Sequence, residues 1–200
     1  MKTVSELTEL QNYIIMQAQR EISMQILFAL AAFDNISKKG EGNILLTFSS
    51  IHSFLTHCAN VSKLLWSSKD KKGQYLVDTI GMQIGKDLAD VIEIPMFVLL
   101  QNKSFRNDLD HYDQRMVKWI NEEYPKHKNS DADRRVVSDL TIGDKNEKGG
   151  TNALHLRNYD PMTKIYTYAE RDLDLGALQI ELLELQKFLG GPYASNMSKT

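Results

Sequence analysis

Apolar residues recur every three or four positions along the first third of the chain. Residues 5–36 contain no Pro or Gly. The apolar residues that recur at steps of three or four are Leu7, Leu10, Ile14, Ala18, Ile22, Ile26 and Leu30. The spacing predicts an amphipathic helix. The two glycines of "SKKGEGN" interrupt it, and residues 44–66 resume the same periodicity. We predict two helices that pack antiparallel, because the link between them is short.

Two further helical segments are predicted before residue 125. The stretch "YLVDTIGMQIG", residues 75–85, has the pattern of a short helix ended by glycine. Pro95 suits the first turn of another helix, where its missing amide proton costs nothing. Because nothing breaks the pattern over residues 95–124, we predict one continuous helix there. Its length would be roughly 40 Å.

The pattern changes in the last quarter of the chain. The stretches "ALHLRNY" and "KIYTYAE" alternate like strands, and "DPMT" between them carries an Asp-Pro turn signal. This predicts a β-hairpin at about residues 153–169, followed by a C-terminal helix at about residues 173–189. The predicted fold is mainly α: an up-and-down helical bundle over about residues 5–124, with a small β-hairpin before the last helix, in a single domain over residues 1–200.

Charge and cysteine content narrow the classes of function. Lys and Arg total 24 and Asp and Glu total 26, so a formal charge of -2 gives no overall attraction to nucleic acid or to anionic membrane. The one cysteine, Cys58, lies in an apolar helical pattern and is predicted to be a buried thiol. The longest apolar run, residues 26–33, is much shorter than the roughly 18 residues of a membrane span. With no secretion signal at the start, we expect a cytoplasmic protein without a membrane partner.

The stretch "SFRNDLDHYDQRMVKW", residues 104–119, holds the strongest candidate for chemistry. On a helical wheel Arg106, Asn107, Asp110 and His111 fall on one arc. The opposite arc is apolar and consists of Phe105, Leu109, Tyr112, Met116, Trp119 and Ile120. The polar arc has two interpretations: a solvated helix surface, or a working site. Met96, Leu99 and Leu100 continue the polar arc toward the N-terminus as an apolar stripe. That stripe predicts a two-fold interface.

The residue types on the polar arc suit phosphodiester cleavage without a metal. His111 can give and take protons near neutral pH, and the planar cation of Arg106 matches phosphate oxygens. Asn107 lies four residues before His111 and can orient its ring. Asp110 is four residues from Arg106 and can instead pair with it. If the attacking group is a neighbouring 2′-hydroxyl, the substrate is RNA.

The arrangement of Arg, a polar residue and then His within "FRNDLDHYDQRMVKW" resembles the HEPN superfamily (higher eukaryotes and prokaryotes nucleotide-binding domains). The resemblance implies a metal-independent endoribonuclease without cofactor, with Arg106, Asn107 and His111 as its catalytic residues. It also implies a homodimer that brings two motifs together. Many members are toxins or phage-defence effectors, for which an antitoxin or regulatory protein is the expected partner. Other members are non-catalytic binding modules, and this is the alternative function.

The other histidines and acidic residues are predicted to be structural. His52 and His57 lie five residues apart and lack further ligands at helical spacing, so no metal site is expected. His155 lies in a predicted strand with nothing nearby that indicates function. Glu181, Glu184 and Asp172 are assigned to the solvated face of the last helix.

Overall fold

Two long helices pack against each other and form the base of the fold. A computed structural model describes residues 7–39, 43–76, 78–102, 111–128, 136–144 and 154–190. The helices are α1 (Glu9–Lys39), α2 (Ile44–Leu65), α3 (Ile80–Ile84), α4 (Leu88–Val91), α5 (Val98–Gln101), α6 (Tyr112–Lys128) and α7 (Leu175–Leu189). The strands are β1 (Val136–Ile142), β2 (Leu154–Asp160), β3 (Ile165–Tyr168) and β4 (Arg171–Asp174). The protein is mainly helical, as predicted from the sequence, and its small sheet has four described strands where a two-stranded hairpin was predicted.

The hairpin of α1 and α2 has the predicted antiparallel direction. Gln25 is hydrogen-bonded to His57, whereas the later Phe33 contacts the earlier Phe54, with ring centroids 5.2 Å apart and ring planes tilted by 59°. Helix α7 packs on α1 and contributes four fully buried leucines to the same core. A continuous apolar core therefore joins helices α1, α2 and α7.

The start of α1 is set by a local capping motif. The hydroxyl of Thr8 accepts a hydrogen bond from the Gln11 amide at 3.2 Å, and the Gln11 side chain accepts one from the Thr8 amide at 3.0 Å. This reciprocal capping box satisfies amides that have no partner inside the helix. The helix therefore begins at Glu9, and the predicted start at residue 5 is wrong because Leu7 and Thr8 are not helical.

The short helix predicted over residues 75–85 is confirmed only in its second half. Thr79 caps α3 by accepting a hydrogen bond from the Met82 amide at 3.2 Å. Gly85 ends the helix with a φ of 77°, the left-handed conformation that glycine adopts without strain. Tyr75 instead forms an isolated antiparallel bridge with Lys69. The cap at Thr79 fixes the first helical residue at Ile80.

The four strands form one sheet in the order β1-β2-β3-β4. Strands β2 and β3 are antiparallel and lie where the hairpin is predicted. In their turn the Asp160 carboxylate accepts hydrogen bonds from the Met162 amide at 2.9 Å and the Thr163 hydroxyl at 2.7 Å. Strand β1 pairs parallel with β2, and β4 pairs antiparallel with β3. The sequence analysis missed both outer strands, and the C-terminal helix begins at Leu175 because β4 occupies residues 171–174.

One row of side chains fixes the sheet to the helices. Ile142, Tyr159, Tyr166 and Leu173 are aligned across the four strands, and all four pack against the main core. Phe48 of α2 meets the Tyr166 ring edge-on at 6.2 Å. Because successive residues of a strand point to opposite faces, the neighbouring row lies on the other side of the sheet.

The single helix predicted over residues 95–124 is wrong. Pro95 lies in a non-helical segment, α5 begins only at Val98, and Asn102 is extended with a φ of -69° and a ψ of 110°. Helical structure is described again from Tyr112, after the turn residue His111. Among the described residues, no helix combines the length and the apolar character needed to cross a membrane.

Candidate functional site

His111 lies immediately before the first turn of α6. Its side chain is exposed, and its carbonyl oxygen accepts a hydrogen bond from the Arg115 amide at 3.0 Å. The helix that follows is fixed to the sheet by Trp119, which is buried against Leu156 and Tyr168. Eight residues separate His111 from Trp119, or about 12 Å along a helix axis. The histidine is therefore accessible to a large substrate and stands on an anchored element.

The other two predicted catalytic residues, Arg106 and Asn107, lie outside the described residues. The same holds for Asp110, the predicted competitor for Arg106. Their distances to His111 therefore stay predictions. The sequence analysis placed both residues on one helix over residues 95–124. In the structure, α5 ends at Gln101, five positions before Arg106. The pair therefore does not lie on a helix that continues unbroken from Pro95, as the sequence predicted.

The apolar stripe predicted to lead into this site is divided between the core and the surface. Leu100 has 0% of its surface exposed and belongs to the main core, whereas Met96 is 79% exposed. Leu99 is partly buried against the same core. The three residues therefore do not form one surface for a second copy, because the chain itself covers Leu100.

A carboxylate that sequence analysis assigned to the solvated face of the last helix holds α5 in place. Glu181 accepts hydrogen bonds from the Leu99 amide at 3.0 Å and the Leu100 amide at 2.8 Å. These are free amides of the first turn of α5, and a negative charge at a helix N-terminus is favourable. The assignment of Glu181 as a surface acid is wrong, and no signal near residue 181 points to a partner some 80 positions earlier in the chain.

Helix α6 buries fewer of its apolar residues than the helical-wheel analysis of the sequence predicts. Trp119 is buried and Met116 packs beside it, but Ile120 is 44% exposed. Val117 is exposed on the same helix. The apolar arc assigned to the core is therefore only partly covered by the described residues.

A row of polar side chains crosses the sheet on the face opposite the main core, and it is buried at its centre but exposed at Asp172. Thr141, Asn158, Thr167 and Asp172, one from each strand, are aligned in register. The Thr141 hydroxyl donates to Oδ1 of Asn158 at 2.8 Å, and the Thr167 hydroxyl donates to Asp172 at 2.6 Å. Asn158 and Thr167 are almost fully buried. The row was not predicted, because the register that aligns it depends on β1 and β4.

His155 is buried at one end of this polar row. Its Nδ1 lies 3.2 Å from the Thr141 hydroxyl oxygen, and its backbone amide donates to Glu170 at 3.1 Å. Because the hydroxyl proton is used toward an acceptor oxygen, Nδ1 of His155 is the donor in this pair. Nε2 of His155 has no hydrogen-bond partner among the described residues. His155 has only 3% of its surface exposed, so it fits the fixing of strand register better than contact with a substrate.

Cys58 is buried, as predicted, and the neighbouring His57 packs against α1. Nδ1 of His57 donates to Oε1 of Gln25 at 2.7 Å, and the ring lies 5.3 Å from that of Phe28. Burial lowers the pKa of His57 from its ordinary value. Cys58 is fully buried, and burial raises the pKa of its thiol well above the usual value. A protonated buried thiol is a poor nucleophile.

No cation site is visible in the described part of the chain. Among these residues, no three His, Cys, Asp or Glu side chains lie close enough together to hold a metal ion. Comparisons with models of protein families, with curated proteins and with solved structures found no match.

Proposed function

We propose that this protein is a metal-independent endoribonuclease of HEPN type that acts as a homodimer, in the manner of a toxin or defence effector. The observation that supports the proposal is the exposed His111 at the start of a helix anchored by Trp119. A general acid or base must reach the proton it transfers, and an exposed imidazole on a fixed element can do so.

The proposed reaction is attack of a ribose 2′-hydroxyl on its neighbouring phosphorus. The hydroxyl proton passes to a base, the new P–O bond forms, and the 5′-oxygen leaves with a proton from an acid. His111 takes one of these roles and the His111 of a second copy takes the other. Arg106 stabilises the negative charge of the phosphorane-like transition state, and Asn107 orients the imidazole. The products are a 2′,3′-cyclic phosphate end and a 5′-hydroxyl end.

The test uses purified full-length chain, single-stranded RNA of varied sequence, and chelator throughout. His111→Ala and Arg106→Ala should each lower the cleavage rate by a factor of about 100 to 10,000, as expected for a lost acid-base group. His52→Ala is the matched control, because His52 is an exposed histidine on another helix. DNA of the same sequence should survive because it lacks the attacking hydroxyl. If RNA stays intact, or is cut equally well after both substitutions, the enzyme proposal is wrong.

The alternative is a non-catalytic binding or regulatory protein of the same type. It is favoured by the formal charge of -2, which gives the chain no overall attraction to an RNA substrate. In that case the native chain retains labelled RNA or a partner protein without turnover, and His111→Ala changes binding only.

A further inference from the structure

Helices α1 and α2 leave a groove between them on one side of their crossing. The groove has a volume of about 540 Å³, and its lining includes Phe28, Ala31, Asn35, Ser50, Ser53 and His57. Within each helix these residues recur at steps of three or four, which places them on one helix face. Ala31 and Ser53 have small side chains that leave space between the helices. The volume falls within the range of roughly 300 to 1,000 Å³ that small-molecule sites occupy.

The two ends of the groove differ in chemistry. At one end the ring of Phe28 lies beside that of His57, with centroids 5.3 Å apart. Asn35 follows Phe28 by seven residues and Ser50 precedes His57 by seven, so the antiparallel direction of the helices brings these two to the other end. Seven residues of a helix span about 10 Å. The groove therefore offers an aromatic end and a hydrogen-bonding end, separated by the length of a small molecule.

The polar side chains of the groove lack partners within the protein. Asn35, Ser50 and Ser53 make no side-chain hydrogen bond to any residue that the structure describes. Ser50 has only 6% of its surface exposed. A hydroxyl so far removed from bulk water normally has a hydrogen-bond partner, because an unmade hydrogen bond costs free energy. A ligand in the groove supplies the partner that the chain does not.

His57 adds a hydrogen-bond acceptor to this lining. Its Nδ1 donates to Oε1 of Gln25 at 2.7 Å, and the same oxygen accepts from Asn60 at 3.1 Å. The Gln25 amide nitrogen in turn donates to Glu21 at 2.7 Å. These bonds fix the orientation of Gln25, and with it the tautomer of His57 that carries its proton on Nδ1. Because burial lowers the pKa of His57, the ring is neutral at pH 7 and Nε2 keeps its lone pair.

The lining favours a neutral ligand that carries several hydroxyl groups. No described residue of the groove has a charge that would offset the desolvation of an ionic ligand. Serine and asparagine side chains both donate and accept hydrogen bonds, and so do the hydroxyls of a sugar. The negative face of an aromatic ring such as Phe28 suits the C–H face of a sugar ring. A flat heterocycle fits less well, because the rings of Phe28 and His57 are inclined by 49° and form no parallel-sided slot.

We propose that the groove between α1 and α2 is a binding site for a neutral sugar of one or two rings. One sugar ring packs on Phe28 and donates a hydroxyl proton to Nε2 of His57. Hydroxyls toward the other end are bonded to Asn35 and Ser50. This inference goes beyond the proposed ribonuclease function and does not depend on it, because His111 is not part of the groove. The His111→Ala protein should therefore bind the sugar as the native chain does.

The first test is titration of the ¹⁵N-labelled full chain, followed by the chemical shifts of its amides. The probes are glucose, galactose, mannose, maltose, lactose and trehalose, each raised to about ten times a Kd of about 1 mM. At least one sugar should shift amides of residues 28–35 and 50–57 in a saturable way. The proposal is wrong if none of the six does so. It is also wrong if adenosine or uridine shifts these amides and the sugars do not, because the ligand is then a flat heterocycle.

The second test uses substitutions in the groove. Phe28→Ala and Asn35→Ala should each raise the Kd of the bound sugar about tenfold, through loss of the ring contact or of a hydrogen bond. Ser53→Leu places a larger side chain in the middle of the groove and should abolish binding. Phe188→Ala is the matched control for Phe28→Ala, because Phe188 is 45% exposed and Phe28 is 46% exposed. Circular dichroism confirms that each variant is folded, and a native Kd in all three groove variants overturns the proposal.

The third test measures whether the sugar covers the groove. In Ser53→Cys the new thiol should react with iodoacetamide, whereas the native Cys58 is buried and does not. A sugar at ten times its Kd should slow this reaction about tenfold, because only the free site reacts. His52→Cys, at an exposed position of the same helix, should react at the same rate with and without sugar. If the sugar leaves the reaction of Ser53→Cys unchanged, it binds elsewhere and the proposed site is wrong.

Discussion

At the scale of single residues, the position of a side chain between two helices changes its chemistry. His57 lies between α1 and α2, where its Nδ1 proton is bonded to Gln25 and its ring is close to Phe28. Burial disfavours the charged imidazolium, and this lowers the pKa of His57. His52, one and a half turns earlier on the same helix, is exposed. Two histidines that look equivalent in the sequence therefore differ in their surroundings.

The lowered pKa of His57 predicts a loss of stability on acidification. Above an unfolded pKa of about 6.5 the histidine is neutral in both states. As the pH falls below that value, the unfolded chain binds the proton more readily than the folded chain, so the free energy of unfolding decreases until the pH passes the lowered folded pKa. Urea denaturation between pH 5 and pH 8 should show this decrease, and His57→Gln should flatten it. His52→Gln is the control, and an equal flattening there would contradict the prediction.

At the scale of elements, short helices depend on groups from other parts of the chain. Helix α5 has only 4 residues, too few to form a stable helix alone. Two amides of its first turn are bonded to the Glu181 carboxylate of α7, and Leu100 is buried between the helices. The element exists because α7 supplies the missing acceptors and apolar contacts.

Removing the carboxylate should therefore destabilise the protein. Glu181→Ala leaves two partly buried amides without their charged acceptor and should cost about 1 to 3 kcal/mol in the free energy of unfolding. Glu181→Gln keeps one acceptor oxygen and should cost less. Glu184→Ala, an exposed position nearby on α7, should change stability by less than about 0.5 kcal/mol. Chemical denaturation measures all three, and equal stabilities for Glu181→Ala and Glu184→Ala would exclude the capping role.

At the scale of the whole molecule, the described residues form two apolar clusters of unequal size. The larger one joins α1, α2, α5 and α7 with one face of the sheet. The smaller one has three buried residues, Trp119, Leu156 and Tyr168, and attaches α6 to the sheet. Among the described residues, Nε1 of Trp119 has no hydrogen-bond partner. Helix α6, which begins next to the proposed catalytic His111, is therefore held less firmly than the other long helices.

This division predicts that α6 opens before the rest of the protein. Trp119→Ala removes most of the smaller cluster and should cost about 3 to 5 kcal/mol locally. Hydrogen exchange should then accelerate in residues 112–128 and stay slow in α2. Trp119→Phe keeps an apolar ring without the unpartnered N–H and should preserve most of the protection. Acceleration of equal size throughout the chain would show that the two clusters unfold as one.

The sequence by itself determined the elements whose signals lie within a few neighbouring residues. The periodicity of α1 and α2, the turn at Asp160 and the burial of Cys58 follow from local spacing and turn chemistry, and the structure agrees with each. The same spacing placed His111 on a polar arc, and its side chain is exposed. Arg106 and Asn107 lie outside the described residues, so the rest of the predicted site stays a prediction.

Only the tertiary structure decided the features that depend on residues far apart in the chain. Helix α5 forms because Glu181 supplies its cap, and β1 is a strand because β2 offers a parallel edge. The polar row through Asn158 exists only in the register of four strands. Likewise, periodicity identifies one apolar face of α1 but does not say which apolar residues the chain covers. That depends on where α2 and α7 pack, and their packing leaves Tyr13 and Phe28 at the surface.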